Sequence, residues 1–147
     1  MTAKHQFTVQ INAGREKVWS VLWNDDTYGQ WTGIFAEGSC AKTDWKKGSK
    51  VIFTDEKGMG GMVSKIADIV PNEFMSFEHQ GEIKDGVEDT TSEKVKEWTG
   101  AMENYTLTDN DGGTRLVVEM DLADAYAGYF KEKFPKALDI VKKLAES

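Results

Sequence analysis

A chain of 147 residues, 39% hydrophobic and 11% aromatic, is long enough to build one domain with a real core, spanning residues 1–147. Its net charge of −7 argues against a nucleic acid or an anionic membrane as partner, since both select positive surfaces. No apolar run reaches membrane-spanning length, MTAKHQFTVQ lacks the apolar segment of a secretory signal, and the single cysteine, Cys40, excludes an internal disulfide; no membrane insertion and a cytoplasmic location are expected.

HQFTVQI alternates Phe7, Val9 and Ile11 with polar residues, the period of a half-buried strand. Asn12 is then expected to cap a helix, AGREKVWSVLWN, which turns Val18, Trp19, Val21 and Leu22 inward and keeps Glu16 near its positive end. DDTYGQWTG reads as a second short helix carrying Trp31. Four strands follow, over IFAEGSCAKT, KVIFTDE, MVSKIADIV and EFMSFEHQGEI, with KGMGG and Pro71–Asn72 as turns. KDGVEDTTSEKVKE is polar and turn-prone, a loop long enough to be functional or mobile. The hairpin YTLTDNDGGTRLVVEMDL turns at Asp111-Gly112-Gly113, which supply the positive-φ positions. AYAGYFKEKFPKALDIVKKLAES is an amphipathic helix with Tyr126, Phe130, Phe134, Leu138 and Val141 on one face and a kink expected near 131–135 from Pro135. The order β, α, α, six strands, long α makes an α+β domain in which one helix covers one face of an antiparallel sheet.

AGREKVWSVLWNDDTYGQW, DWKKGSKVIF, GMVSKIADIVPNEFMSFEH, YTLTDNDGGTRLVVEM and FPKALDIVKKLAE together resemble the START/Bet v 1-like (SRPBCC) superfamily. Within it the likeness is to the group named after the activator of the Hsp90 ATPase. The resemblance implies a helix-grip fold, a curved antiparallel sheet wrapped around the long C-terminal helix, often with an apolar cavity between them. Members of the superfamily bind lipids or other small hydrophobic molecules, act on such molecules, or assist a chaperone. The motifs specify architecture rather than an activity. Without the additional domain that the eukaryotic co-chaperone carries, a chaperone partner is the weaker expectation. If the chain assembles, a symmetric homodimer is the commonest outcome.

Strand parity names the interior. Leu116, Val118, Met120 and Leu122 share a face, and Tyr105 and Leu107 join it, bringing Ala101 and Glu103 along. Met75, Phe77 and His79 form the inward set of their strand, and Val51 and Phe53 that of theirs; in MVSKIADIV the sets Met62, Ser64, Ile66 and Val63, Lys65, Ala67 compete. The expected ligand-contacting residues are therefore Trp31, Phe53, Met75, Phe77, His79, Ala101, Glu103, Tyr105, Leu116, Val118, Met120, Phe130 and Phe134. Met and aromatic side chains suit an adaptable pocket and also fill ordinary cores. Glu103 either turns to solvent, through a bulge or an ion pair, or stands on a cavity wall near His79 or Tyr105.

Beyond Glu103 and His79, as acid and base on a bound hydrophobic molecule, no catalytic set is evident. Cys40 has no partner in sequence, no Ser-His-Asp set can be assigned, and no metal or other cofactor is expected: KDGVEDTTSE does not match the spacing of a calcium loop, and KGMGG does not match a phosphate loop. The leading expectation is a binder of a small hydrophobic ligand, lipid-like or aromatic. An enzyme and a chaperone-associated protein are the alternatives.

Overall fold

The computed structural model describes residues 2–147. Strand β1 (Thr2–Ile11) is followed by helices α1 (Arg15–Trp23) and α2 (Asp25–Thr32). Next come β2 (Cys40–Lys42), β3 (Lys50–Thr54), β4 (Gly60–Val70), β5 (Phe74–Lys84), β6 (Val87–Asp89), the short α3 (Glu93–Lys96), β7 (Met102–Asn110), β8 (Gly113–Ala123) and α4 (Asp124–Glu146). The strands form one antiparallel sheet in the order β1-β8-β7-β5-β4-β3-β2, with β6 paired to β5 beyond the end of β7. The sheet is curved, as the helix-grip reading requires, and α4 packs on β1 and β8 and against α1 and α2.

Hydrophobic alternation explains β1, whose burial steps inward at Phe7, Val9 and Ile11. In α1 the buried set is Val18, Val21, Leu22 and Trp23. Trp23 is the hub of an aromatic cluster, meeting Tyr105 edge to face at 4.9 Å, Phe77 at 5.4 Å and Trp31 at 6.4 Å between ring centroids. Edge-to-face contacts of this kind align the positive ring edge with the negative face of its neighbour.

Several expectations need correction. Asn12 does not cap α1: the helix begins after Gly14, with no side-chain cap, and the Asn12 backbone N–H donates to Glu146 Oε2 at 2.8 Å. That bond ties the end of β1 to the end of α4. Only Cys40–Lys42 of IFAEGSCAKT is strand; residues 34–39 are turns, which free Phe35 to pack on Phe130 and Phe134. The expected loop KDGVEDTTSEKVKE contains β6 and α3. Asp85 (φ 52°) and Gly86 (φ 77°) make the tight turn into β6, and the Ser92 hydroxyl caps α3 by accepting from Val95 N–H. The last hairpin turns on Asp111 (φ 51°) and Gly112 (φ 78°) alone. Gly113 is already strand, and glycine is required there because a Cβ would lie 2.2 Å from the Ile11 carbonyl oxygen.

Both competing parities of MVSKIADIV are partly right. The register between β4 and β5 shifts at Val63/Ser64 and again at Ile66/Asp68. A bulge exchanges the two faces of a strand and bends it. Ser64 and Ile66 are thus wholly buried and Val63 is buried as well, but outside the main core. Helix α4 continues through Pro135 as one element whose two halves differ in packing: Asp124 to Lys133 contains no buried residue, whereas Phe134, Ala137, Leu138, Val141 and Ala145 are buried.

Candidate functional site

The sheet curls away from the loosely packed half of α4 and leaves a cavity of about 540 Å³. Its walls come from α2 (Tyr28, Trp31, Thr32), the turns after it (Phe35, Ala36), β2 and β3 (Cys40, Phe53, Thr54), β4 (Met62), β5 (His79, Glu82) and Trp98 after α3. Ala101, Glu103 and Tyr105 of the β7 side, Met120, Asp121 and Leu122 of β8, and Tyr126, Tyr129, Phe130 and Phe134 of α4 line most of the rest, and Asp55 after β3 joins them. The half-exposed Tyr126 and Tyr129 mark where it meets solvent. Tyr129 also donates its hydroxyl to the Phe35 carbonyl at 2.7 Å, joining α4 to the turn opposite.

One polar row crosses this apolar space. Ser64 on β4 directly opposes His79 on β5, and Glu103 on β7 opposes Phe77, the next inward residue along β5. The three side chains meet: Ser64 Oγ lies 2.6 Å from His79 Nδ1, and His79 Nε2 lies 3.0 Å from Glu103 Oε1. The Tyr105 hydroxyl donates to the other carboxylate oxygen, Oε2. An ionised carboxylate only accepts, so Nε2 carries the hydrogen in its bond to Glu103; in a neutral ring, Nδ1 then accepts from Ser64. Glu103 therefore neither turns to solvent nor lies buried without partners, a state that would cost several kcal/mol. Its side chain is 16% exposed, stands on the cavity wall, and takes up two donors from the surrounding sheet. Ser64 is wholly buried and is not a wall residue, so it orients the imidazole rather than facing a bound molecule.

The same environment holds two phenols neutral. Burial, then the charge of Glu103, pushes Tyr28 far above its ordinary value of 10.0. Burial, the Glu103 charge and the hydrogen bond to it act in the same direction on Tyr105. A folded-state pKa above the unfolded one means the associated stability is intact below pH 10 and is lost as the pH rises further. Each of these two tyrosines should lower the unfolding free energy by roughly 1.4 kcal/mol per pH unit beyond that point. The check is an alkaline titration followed by tyrosinate absorbance. The amplitude that belongs to Tyr28 and Tyr105 should appear only with unfolding.

Of the residues expected from the sequence, Trp31, Phe53, His79, Ala101, Glu103, Tyr105, Met120, Phe130 and Phe134 line the cavity. Met75, Phe77, Leu116 and Val118 do not: all four are wholly buried in the solid part of the core. Their parity is inward, but they sit where α1 and the cluster around Trp23 fill the space. The sequence reading missed Tyr28, Phe35, Glu82, Trp98, Tyr126 and Tyr129. Tyr28 had a signal, standing three residues before Trp31 on the same helical face. Glu82 had none, because the β4–β5 bulge at Gln80 reverses the parity that places it.

Among the described residues no three His, Cys, Asp or Glu side chains are grouped to hold a metal ion, and no helix is long and apolar enough to cross a membrane. No curated protein matches the chain. Solved structures of the same fold do. The solution structure of the Aha1 dimer from Colwellia psychrerythraea matches with a TM-score of 0.74 and 17% identity over 98% of this chain and 96% of that one. Protein MLL2253 from Mesorhizobium loti matches with a TM-score of 0.69 and 18% identity, covering 97% and 96% of the two chains. CalU16 from Micromonospora echinospora gives 0.69 and 14%, covering 98% and 76%. At these identities the likeness concerns the fold. The family assignment comes from the sequence itself, since the model of the Activator of Hsp90 ATPase homolog 1-like protein matches residues 12–146, from the turn after β1 to the last residue of α4. The curved sheet, the two short helices and the long final helix are thus those of a member, and the chain belongs to the Activator of Hsp90 ATPase homolog 1-like family.

Proposed function

We propose that the protein binds a small hydrophobic molecule, lipid-like or aromatic, in the cavity beneath the first half of α4. The observation that carries this reading is the cavity itself. Protein interiors are packed like organic crystals, and voids larger than a water molecule are few and costly. A hollow of about 540 Å³ walled by Trp31, Phe53, Tyr105 and Phe130 lies in the range of about 300–1,000 Å³ typical of ligand sites. The absence of fully buried residues between Asp124 and Lys133 supports entry at this end: the contacts to be broken are the half-buried Phe35–Phe130 pair and the Tyr129–Phe35 hydrogen bond.

A thermal-unfolding series tests the proposal, using long-chain alcohols, arylalkylamines and fatty acids as probes. A ligand at 100 times its Kd stabilises by about 2.7 kcal/mol, and the midpoint should rise by about 5–10 °C in a domain of this size. If no member of the panel moves the midpoint, the reading is wrong.

A second reading is supported by the hydrogen-bonded row from Ser64 to Tyr105. Glu103, with His79 behind it, is placed to exchange a proton with a bound hydrophobic substrate, a contribution typically of about 10²–10⁴-fold in rate. Turnover abolished in Glu103→Gln while binding persists would favour the enzyme over the carrier.

A further inference from the structure

The charges around the cavity are of one sign. Asp55, Glu82, Glu103 and Asp121 are wall residues, and no lysine or arginine is among the described residues that line it. Three of these carboxylates are held by neighbouring groups of the protein. Glu82 pairs with Lys94 at 3.4 Å, Asp55 Oδ1 accepts from the Lys57 and Met59 backbone, and Asp121 Oδ2 accepts from Met102 N–H at 2.9 Å. Of the four, only Glu82 has a lysine partner. Glu103 is set apart by its place among the aromatic walls: its donors, Tyr105 and His79, come from the sheet side, and it has no lysine or arginine partner among the described residues. Tyr28, only 8% exposed, is a further wall residue, and its hydroxyl makes no hydrogen bond to any described residue. Tyr28 packs edge to face on Trp31 at 5.6 Å, Trp31 packs on Tyr105 at 6.3 Å, and Tyr105 bonds Glu103, so the phenol and the carboxylate share one aromatic corner of the cavity.

An unused hydroxyl and a carboxylate without a cation, surrounded by aromatic faces, form a recognisable arrangement. Aromatic faces attract a positive charge through their quadrupoles, most strongly where water is excluded. A charge-assisted hydrogen bond from an ammonium group to a carboxylate is about twice as strong as a neutral one. A carboxylate ligand brought to the same place would meet a like charge with no cation to offset it.

We propose that this cavity selects a cationic amphiphile, an aromatic or aliphatic body bearing a protonated amine, with the ammonium group seated between Glu103 and the Tyr28 hydroxyl. The inference rests on the cavity being a ligand site and adds the chemical class of the ligand. Glu103 supplies the counter-charge, Tyr28 supplies a further acceptor, and Trp31 and Phe53 face the apolar body. Fatty acids and other anionic lipids are the molecules the cavity rejects.

Three probes that share one skeleton and differ in their end group make the test: phenylbutylamine, phenylbutanol and phenylbutyrate, titrated by calorimetry at pH 7. The amine should bind at least about tenfold tighter than the alcohol, and the acid weakest of the three. Glu103→Gln should bring the amine to within about threefold of the alcohol. Tyr28→Phe removes a hydroxyl with no internal partner, so it should fold normally and weaken the amine several-fold relative to the alcohol. This variant decides the matter if Glu103→Gln fails to fold. An alcohol or acid that binds as tightly as the amine overturns the charge selection and leaves the ligand site standing, as does an amine preference that survives both substitutions. Failure of all three probes to bind overturns this inference, and the ligand site falls with it only if the wider thermal-unfolding panel also leaves the midpoint unmoved.

Discussion

Replacing Phe134 with alanine is expected to destabilise the protein by about 3–5 kcal/mol, the usual loss when a buried aromatic ring is truncated in a core that relaxes only partly. Phe134 is 2% exposed, stacks on Phe7 of β1 at 5.0 Å with the rings 16° from parallel, and touches Phe35 at 5.3 Å. It is also the first buried residue of α4 and the point at which the helix passes from cavity roof to packed core. Its loss would release Phe35, Phe130 and the Tyr129 contact together, since the turn and the roof are held through the same ring cluster. Against a total stability of about 5–15 kcal/mol for an ordinary domain, this is a large fraction. Urea unfolding of the wild type and the variant measures it. A loss below about 1 kcal/mol would mean that α4 does not depend on this contact for its position.

Filling the cavity should have the opposite signature. Ala101 lies on the wall beside Glu103 and is 9% exposed, so Ala101→Trp projects an indole into the space a ligand would occupy. Binding of every apolar probe should fall by at least about tenfold, while stability is held or rises by about 0.5–2 kcal/mol as cavity-filling changes commonly do. The two readouts are independent. Lost binding together with lost stability would point to distortion of β7, and retained binding would place the probes elsewhere on the molecule. Midpoints without ligand and calorimetric titrations of the same two proteins provide both measurements.

Much of the architecture was legible because it rests on local periodicity. Phe7, Val9 and Ile11 alternate, Val18, Val21 and Leu22 recur at helical spacing, and Leu116 to Leu122 step inward in twos. Burial of an apolar face is the dominant force, and a repeating pattern shows where that face lies. The same arithmetic put Glu103 on the inward face with Tyr105 and Leu107, but left open whether a bulge turned it to solvent or it stood on a cavity wall. Where the local signals were short, the reading went wrong. Asn12 looked like a helix cap and instead holds Glu146, 134 residues away, and the Asp85-Gly86 turn lay hidden in a polar segment that reads as loop.

The sequence by itself determined the order of the long elements and the inward face of the strands with clean alternation, because each depends on neighbours a few positions away. Only the tertiary structure decided which inward residues bound empty space and which bound each other. Phe77 and Glu103 are register partners on one face, yet one is packed under Trp23 and the other meets the hollow. It also decided that Ser64, His79 and Glu103 join in one row, since two bulges set the registration of β4 on β5. Distances across a curved sheet depend on the twist and bulges of every strand between, and no periodicity along a single strand contains them.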